Sequence, residues 1–314
     1  MITLLIHISR KIITFEIKII DLIVNTVLRI VNCKWPNCKL FQMLTFPNAK
    51  INLGLNIVEK RADGYHNIET VFYPIGLCDV LEVVPSETCT DYSFSSSGIT
   101  IDGDPEDNLI VKAYRLLRSE YQFPAIDISL IKQIPFGAGL GGGSADAAFM
   151  LKAINELFTL KLTPKKLEKL ASSLGADCPV FIRNRPVFAT GIGNAFTSID
   201  LSLKGYFLLL VKPDIHVSTP EAYSLVVPEK PETSLLELIK QPVSNWKNTI
   251  KNDFEKSVFA RYPSINKIKN DLYEMGAVYA SMSGSGSSVF GIFETEPEKN
   301  DLLEGFFVMG GMLE

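Results

Sequence analysis

The sequence predicts a two-domain α+β fold, and three observations lead to that expectation. The chain has 314 residues, where a domain holds roughly 150. Hydrophobic residues make up 46% of the chain and charged residues 21%, which is typical of a protein with a large apolar core. Strand-like and helix-like segments follow one another irregularly, and this favours α+β over a regular strand–helix–strand array.

Charge and cysteine content exclude several classes of function. The 31 basic and 35 acidic residues give a net charge of −4, so the chain as a whole does not attract nucleic acid. The five cysteines form no CxxC pair, which argues against a zinc site or a disulfide framework and indicates a reducing compartment. We expect a cytoplasmic protein with no nucleic-acid, membrane or obligate protein partner.

The first 42 residues differ from the rest of the chain. They are rich in Ile and carry six basic and two acidic residues, hence +4, so residues 43–314 carry −8. Charged residues interrupt every window of about 18–20 residues that a membrane-spanning helix needs, and no signal peptide is clear. We interpret Met43 as the true start, exclude residues 1–42 from the fold, and predict domains at 43–201 and 202–314.

The spacing of apolar residues predicts the secondary structure along the chain. Residues 45–60 alternate apolar and polar side chains, which predicts a strand with one buried face. Residues 107–121 have an apolar helical face, and residues 126–132 alternate again as a strand. The other predicted strands are 68–77, 79–84, 91–101, 206–211, 277–282 and 288–293. The other predicted helices are 144–158, a helix from Thr163-Pro164 to Gly175, and 262–276.

The most specific local pattern is PFGAGLGGGSA at residues 135–145, with five glycines in seven residues between a strand and a helix. Glycines allow successive N–H groups to turn inward, and the following helix N-terminus adds a positive partial charge. Both properties suit a polyphosphate. We expect Ser144 at or near the helix N-cap, where its hydroxyl could touch a phosphate oxygen or Mg²⁺.

Two other glycine-rich sites fit this pattern less well. Gly143 stands where a P-loop needs lysine, which excludes that motif. Gly137, Gly139 and Gly142 satisfy the dinucleotide fingerprint, but helix-like KLTPKKLEK stands where an acidic residue is needed. A flexible turn remains a third interpretation, and it is disfavoured because each glycine costs conformational entropy.

Several single residues are candidates for chemistry, and each also has a structural explanation. Lys50 lies within the first predicted strand and could be a solvated outward residue. Asp177 precedes a proline by two positions and could cap a helix. His66 and Tyr65 could be structural or exposed, although the tyrosine could also stack on a planar ligand. The sequence SGSGS at 283–287 is a second anion-binding turn or a plain turn between strands.

Three blocks in this order resemble the GHMP kinase superfamily: PNAKINLGL at 47–55, PFGAGLGGGSADA at 135–147 and SMSGSGSSVFG at 281–291. The resemblance covers nearly all of 43–314. It implies a two-domain GHMP kinase fold with the active site in the inter-domain cleft, and ATP-dependent phosphorylation of a small molecule. RADGYHNIETVF (61–72), EDNLIV (106–111) and GADCPVF (175–181) resemble the members that phosphorylate the 2-hydroxyl of a cytidine diphosphate-linked methylerythritol.

The resemblance also implies a role for each matched residue. Lys50 and Asp177 match the catalytic pair, in which Asp177 accepts the hydroxyl proton and Lys50 keeps it ionised. ATP is expected with Mg²⁺, without a dedicated protein metal site. The positions matched to nucleotide binding are Asn108, Lys132, Pro135, Phe136, Gly137, Ala138, Gly139, Leu140, Gly141, Gly142, Gly143, Ser144 and Ala145. The positions matched to substrate binding are Asn52, Tyr65, His66, Thr219 and Tyr223, with the two tyrosines on either side of the cytosine.

Three alternatives stay open at this point. Another small-molecule kinase of the superfamily, acting on homoserine or mevalonate, is disfavoured by the DGYH and GADCPVF blocks. A protein of the same fold that only senses nucleotide and metabolite need not keep both Lys50 and Asp177. A dinucleotide-dependent oxidoreductase is the most distant of the three.

Overall fold

The computed structural model describes residues 42–101, 103–298 and 303–314. The interpretation of residues 1–41 therefore lies outside the described residues.

The strands among the described residues are β1 Met43–Thr45, β2 Asn48–Lys60, β3 His66–Cys78, β4 Val80–Pro85, β5 Tyr92–Gly98, β6 Ile126–Lys132, β7 Val187–Thr190, β8 Ala195–Ser198, β9 Phe207–Lys212, β10 Tyr279–Met282, β11 Val289–Phe293 and β12 Phe307–Met312. The helices are α1 Leu109–Glu120, α2 Gly142–Leu157, α3 Pro164–Ser172, α4 Val180–Arg183, α5 Thr219–Tyr223, α6 Leu235–Leu238, α7 Trp246–Thr249, α8 Phe254–Arg261 and α9 Pro263–Glu274.

The strands form three four-stranded sheets with the orders β1-β4-β6-β5, β2-β3-β7-β8 and β10-β11-β9-β12. Only the β5–β6 pair among them is parallel. The α+β prediction is confirmed, and a doubly wound parallel sheet is absent from the described residues. The first two sheets lie before residue 201 and the third after it, but the predicted domain boundary stays a prediction.

Local sequence signals explain where most helices begin. The Asn108 side chain accepts a hydrogen bond from the Ile110 N–H and caps α1. The Thr163 hydroxyl caps α3, whose first residue is Pro164. The predicted helices at 107–121, 163–175 and 262–276 are therefore confirmed to within a few residues.

Strand β2 corrects the prediction of one buried face. Residues 49–57 of β2 are buried without interruption, because both faces of the strand are covered by other parts of the fold. The predicted strand at 45–60 is also divided, since β1 ends at Thr45 and belongs to a different sheet from β2. Polar side chains of β2 are consequently buried, and this places Lys50 and Asn52 inside the protein.

An apolar cluster is shared by the two halves of the described chain. It joins inward residues of β2 and β3, such as Leu53 and Val71, to residues of β9 and β11, such as Leu210 and Phe290. A second cluster lies between the first sheet and helices α1 to α4. A third lies between the last sheet and helices α5, α8 and α9. The shared cluster means that the two halves are stabilised by one another.

We predict that Leu210→Ala destabilises the whole chain, because Leu210 is fully buried in the shared cluster. The expected loss is about 2–5 kcal/mol of unfolding free energy, and denaturant unfolding should show both halves shifting together. Leu225→Ala is the matched control, since Leu225 is largely exposed, and it should change stability by less than about 0.5 kcal/mol. Equal effects of the two substitutions would contradict this account of the core.

Candidate active site

The glycine-rich segment forms a concave turn between β6 and α2. Gly137, Gly139 and Gly141 all have left-handed backbones, with φ of +57°, +73° and +72°. Left-handed residues at alternate positions direct successive N–H groups to one side, the geometry of an anion-binding nest. Gly141 is the N-cap of α2, so the first N–H groups of the helix have no carbonyl partner within it.

The structure locates Ser144 and Ala145 relative to the beginning of α2. Ser144 is the third residue of the helix and therefore lies near the N-cap, which is the left-handed Gly141. The contact of Ala145 with a nucleotide stays a prediction. The side chain of Ala145 is fully buried, and the Ala145 N–H donates to the Gly141 carbonyl as part of the helix.

A cavity of about 470 Å³ lies in front of the turn. One wall is the glycine-rich segment, residues 135–144, and the opposite wall is residues 216–219 with Ser285. Leu109 and Lys132 complete the lining. Thr219, matched to substrate binding, therefore faces the glycine-rich turn, whereas Asn108 caps the adjacent helix. The arrangement suits a polyphosphate held between glycine N–H groups and side-chain hydroxyls.

A buried ionic cluster of Lys132, Asp79 and Asp146 packs behind the turn, on the protein side. Lys132 is only 1% exposed, and its Nζ donates to Asp79 and, at 2.9 Å, to Asp146 Oδ2. Asp79 Oδ1 also accepts the N–H groups of Gln133 and Ile134, which lead into the turn. Burial raises the pKa of Asp146 to about 8, and the nearby Lys132 ammonium opposes that rise. Lys132 thus helps to hold in place the segment that leads into the turn.

The structure brings the predicted catalytic pair together beside the glycine-rich turn. Lys50 Nζ lies 3.4 Å from Asp177 Oδ2. Asp177 lies in the turn before α4 and does not cap that helix, which has no side-chain cap. Its side chain is 35% exposed, whereas that of Lys50 is 4% exposed. Asp177 is therefore accessible to a substrate hydroxyl, while Lys50 contacts Asp177 from the protein interior.

The surroundings of Lys50 match the three N–H donors of an ammonium group. Nζ lies 2.7 Å from Asn52 Oδ1, 3.0 Å from the Gly139 carbonyl oxygen and 3.4 Å from Asp177 Oδ2. Burial lowers the pKa of Lys50, and the Asp177 carboxylate partly offsets this effect. Lys50 therefore connects Asp177 to the glycine-rich turn through the Gly139 carbonyl.

The second Gly/Ser loop, between β10 and β11, packs against the first. The Ser283 hydroxyl donates to the Gly139 carbonyl and accepts the Asn52 N–H. Asn252 fixes the loop from the other side by donating to the Met282 and Gly284 carbonyls. The loop is thus more than a plain strand connection. Sequence reasoning missed Asn252 and Asp79 because no local motif marks them, and it missed Asp146 although that residue lies within the quoted block 135–147.

The residues matched to substrate binding are divided between two places. His66 and Tyr223 stack with ring centroids 4.5 Å apart, and Tyr65 is 61% exposed beside them. Asn52 is buried and already donates to Thr70 and accepts from Lys50. A cytosine between Tyr65 and Tyr223 stays a prediction. Such a cytosine would compete with His66, which already stacks on the Tyr223 ring.

Two further properties concern membranes and metals. No helix among the described residues is long and apolar enough to cross a bilayer. Within the same ranges, no group of three or more His, Cys, Asp or Glu side chains is arranged to hold a metal ion.

We predict that Gly139→Ala disrupts the site, because a Cβ atom would stand 1.9 Å from the Ser283 carbonyl oxygen. The left-handed backbone alone costs an alanine roughly 1–2 kcal/mol, and the contact with backbone adds to that cost. Gly205→Ala is the control, since Gly205 has φ +93° and nothing lies within 4 Å of its Cβ position. Thermal unfolding should show a clearly larger loss for Gly139→Ala, and comparable losses would count against close loop packing.

Comparison with known proteins agrees with this geometry. The model of the GHMP kinase N-terminal domain matches residues 108–185, and that of the GHMP kinase C-terminal domain matches residues 233–306. The chain is 60% identical over 274 residues to a Parabacteroides distasonis protein named 4-diphosphocytidyl-2-C-methyl-D-erythritol kinase, covering 86% of this chain and all of the relative. A Bacteroides fragilis protein of the same name is 62% identical over 255 residues, with coverages of 81% and 93%.

Solved structures give the same result. A crystal structure of 4-(cytidine 5'-diphospho)-2C-methyl-D-erythritol kinase has a TM-score of 0.72 and 31% identity, covering 86% of this chain and 99% of that one. A homoserine kinase from Cytophaga hutchinsonii has a TM-score of 0.62 at 17% identity, covering 89% and 97%. The second likeness concerns the fold alone.

Proposed function

The chain belongs to the GHMP kinases, among the relatives named 4-diphosphocytidyl-2-C-methyl-D-erythritol kinase, and from that membership we propose the same activity for it. The reaction transfers the terminal phosphoryl group of ATP to the 2-hydroxyl of 4-diphosphocytidyl-2-C-methyl-D-erythritol and releases ADP. It belongs to the non-mevalonate route to isoprenoid precursors. The observation that carries the proposal is the Lys50–Asp177 pair, hydrogen-bonded to the glycine-rich turn.

The glycine-rich turn binds the phosphates of ATP in this proposal. The N–H groups at the beginning of α2 and the left-handed glycines supply donors with little reorganisation. The ionic cluster of Lys132, Asp79 and Asp146 holds the chain that leads into the turn. Phosphoryl transfer depends mainly on positioning and on neutralising charge, and this preformed turn provides both.

Asp177 acts as the general base and Lys50 as its partner. Asp177 Oδ2 accepts the proton of the substrate 2-hydroxyl while that oxygen attacks the terminal phosphorus. The Lys50 ammonium lies 3.4 Å from this carboxylate and places a positive charge beside the reacting hydroxyl. Lys50 is held by acceptors on two sides, so it stays in place when the hydroxyl arrives.

Mg²⁺ would supply further neutralisation of the phosphate charge when bound with ATP. The residues present fit a cation that is held jointly by protein and nucleotide: Ser144 offers a hydroxyl in the first turn of α2, and the remaining ligands would come from phosphate and water.

We also propose that the enzyme is cytoplasmic, acts on small molecules and has no obligate protein partner. The unpaired Cys78, Cys89 and Cys178 support a reducing compartment.

The proposal is tested with the full chain, Mg-ATP and 4-diphosphocytidyl-2-C-methyl-D-erythritol, by following ADP release beside a reaction without substrate. Substrate-dependent ADP is the expected result. Homoserine and mevalonate are included as alternative acceptors. ADP release with one of these alone, or none with any acceptor from folded protein that binds ATP, would overturn the proposed activity.

We predict that Asp177→Asn lowers kcat by roughly 10²–10⁴-fold, the usual contribution of a general base. The affinity for ATP should change little, because Asp177 lies outside the glycine-rich turn. Steady-state kinetics and ATP titration measure the two effects separately. A variant with near-normal turnover would remove Asp177 from the role of base.

We predict that Tyr65→Ala raises the KM for the cytidine substrate by roughly 5- to 100-fold, the effect of losing one base–aromatic stack. Tyr65 is exposed beside the His66–Tyr223 stack and is free to contact a base. Tyr65→Phe is the matched control, since it keeps the ring, and its KM should stay near that of the wild type. An unchanged KM in Tyr65→Ala would exclude Tyr65 from the substrate pocket.

A further inference from the structure

We propose that Thr70 is a positioning residue for Lys50, which it orients through the side-chain amide of Asn52. The inference rests on the proposed function, because it assumes that Lys50 serves the phosphoryl transfer. Thr70 lies on β3 and has no contact with the glycine-rich turn among its hydrogen bonds. Thr70 would therefore affect the reaction only by orienting the Asn52 amide, which in turn contacts Lys50.

Three hydrogen bonds form a directed chain behind Lys50. Lys50 Nζ donates to Asn52 Oδ1 at 2.7 Å, and Asn52 Nδ2 donates to Thr70 Oγ1 at 2.9 Å. Thr70 Oγ1 in turn donates to the Gly54 carbonyl oxygen at 2.6 Å. Lys50, Asn52 and Thr70 are 3%, 2% and 0% exposed, so water does not substitute readily for a missing partner.

The direction of this chain is set at its far end. A carbonyl oxygen only accepts, so the single hydroxyl proton of Thr70 is committed to Gly54. The Thr70 oxygen must then accept from Asn52, which turns the amide nitrogen toward Thr70 and the amide oxygen toward Lys50. The opposite amide orientation would place an NH₂ group against the ammonium and leave buried donors unsatisfied, at a cost of about 1–3 kcal/mol each.

The Gly54 carbonyl is available because β2 bulges at this residue. Leu53 pairs with Val71 and Leu55 with Thr70, so Gly54 has no partner of its own on β3. Its backbone is left-handed, with φ +72°, and a Cβ atom would lie 2.7 Å from Ile250 Cγ2. Glycine is needed here, and the bulge gives the Thr70 hydroxyl an acceptor that a regular ladder would have used.

Asn52 Oδ1 is the nearest of the three oxygens around Lys50 Nζ. Without an ordered Asn52 amide, the ammonium keeps only the Gly139 carbonyl and Asp177, at 3.0 and 3.4 Å. Its position relative to Asp177 is then less well defined. Because rate depends on the geometry of the reacting groups, we expect the loss to appear in kcat more than in ATP binding.

Thr70→Val and Thr70→Ser form the test pair in the full chain. Valine keeps the shape of threonine and removes the hydroxyl, whereas serine keeps the hydroxyl and removes a methyl group. We expect Thr70→Val to lower kcat, per folded molecule, by roughly 10-fold with the KM for ATP within about twofold. Thr70→Ser should recover most of the turnover. Thr45→Val on β1 is the control for a threonine-to-valine change elsewhere in the fold. The Thr45 hydroxyl makes only a long 3.4 Å hydrogen bond to the Leu81 carbonyl oxygen.

A second measurement does not need turnover. The ¹³Cε resonance of Lys50, assigned with Lys50→Arg, reports the pKa of its amine in each variant. Asp177 is the charged group facing Lys50, and the Phe72 ring lies 5.1 Å away. Loss of an acceptor disfavours the ammonium, so Thr70→Val should lower the Lys50 pKa relative to wild type, and Thr70→Ser should not.

The outcomes separate the inference from the proposed function. An inactive wild-type chain would overturn the proposed function, and the Lys50 titration would then decide the inference alone. An active wild type with unchanged kcat and Lys50 pKa in Thr70→Val would overturn the inference and leave the proposed function standing. Equal losses in Thr70→Val and Thr70→Ser would also overturn it, because the hydroxyl would then not matter.

Discussion

The contact between Gly139 and Ser283 is the constraint on which the rest of the site depends. The Gly139 carbonyl accepts from both Lys50 Nζ and the Ser283 hydroxyl, and its Cα leaves no room for a side chain. One carbonyl thus joins the glycine-rich turn, Lys50 and the β10–β11 loop. Because these parts come from distant positions in the chain, the site exists only when both halves are folded together, and the shared apolar cluster enforces that arrangement.

The site contains two buried lysines whose surroundings give them different roles. Lys132 is enclosed with Asp79 and Asp146 and stabilises the segment that leads into the glycine-rich turn. Lys50 has one carboxylate beside it, that of Asp177, and this carboxylate is 35% exposed. A charge surrounded on all sides supports structure, whereas a charge paired with an accessible base can act on a substrate. The difference lies in the exposure of the partner.

Much of the fold and site could be predicted because the signals are local. Alternation and helical spacing predicted most strands and helices, and the glycines at 137–143 predicted an anion-binding turn before a helix. Asp79 and Asn252 could not be found in this way, because each is an ordinary polar residue whose partners are distant in sequence. The expected place of Ser144 near the N-cap agrees with the structure, but the cap itself is the left-handed Gly141.

The sequence by itself determined the chemistry that is available: a run of glycines, a lysine near the start of the first long strand, an aspartate before a short helix, and aromatic residues near 65 and 223. Only the tertiary structure decided which of these residues meet. An alternating strand reads as half-buried, yet β2 is covered on both faces, and this changes Lys50 from a solvated side chain into the buried partner of Asp177. Burial depends on what packs against a strand, and that information lies in the distant segments that cover β2.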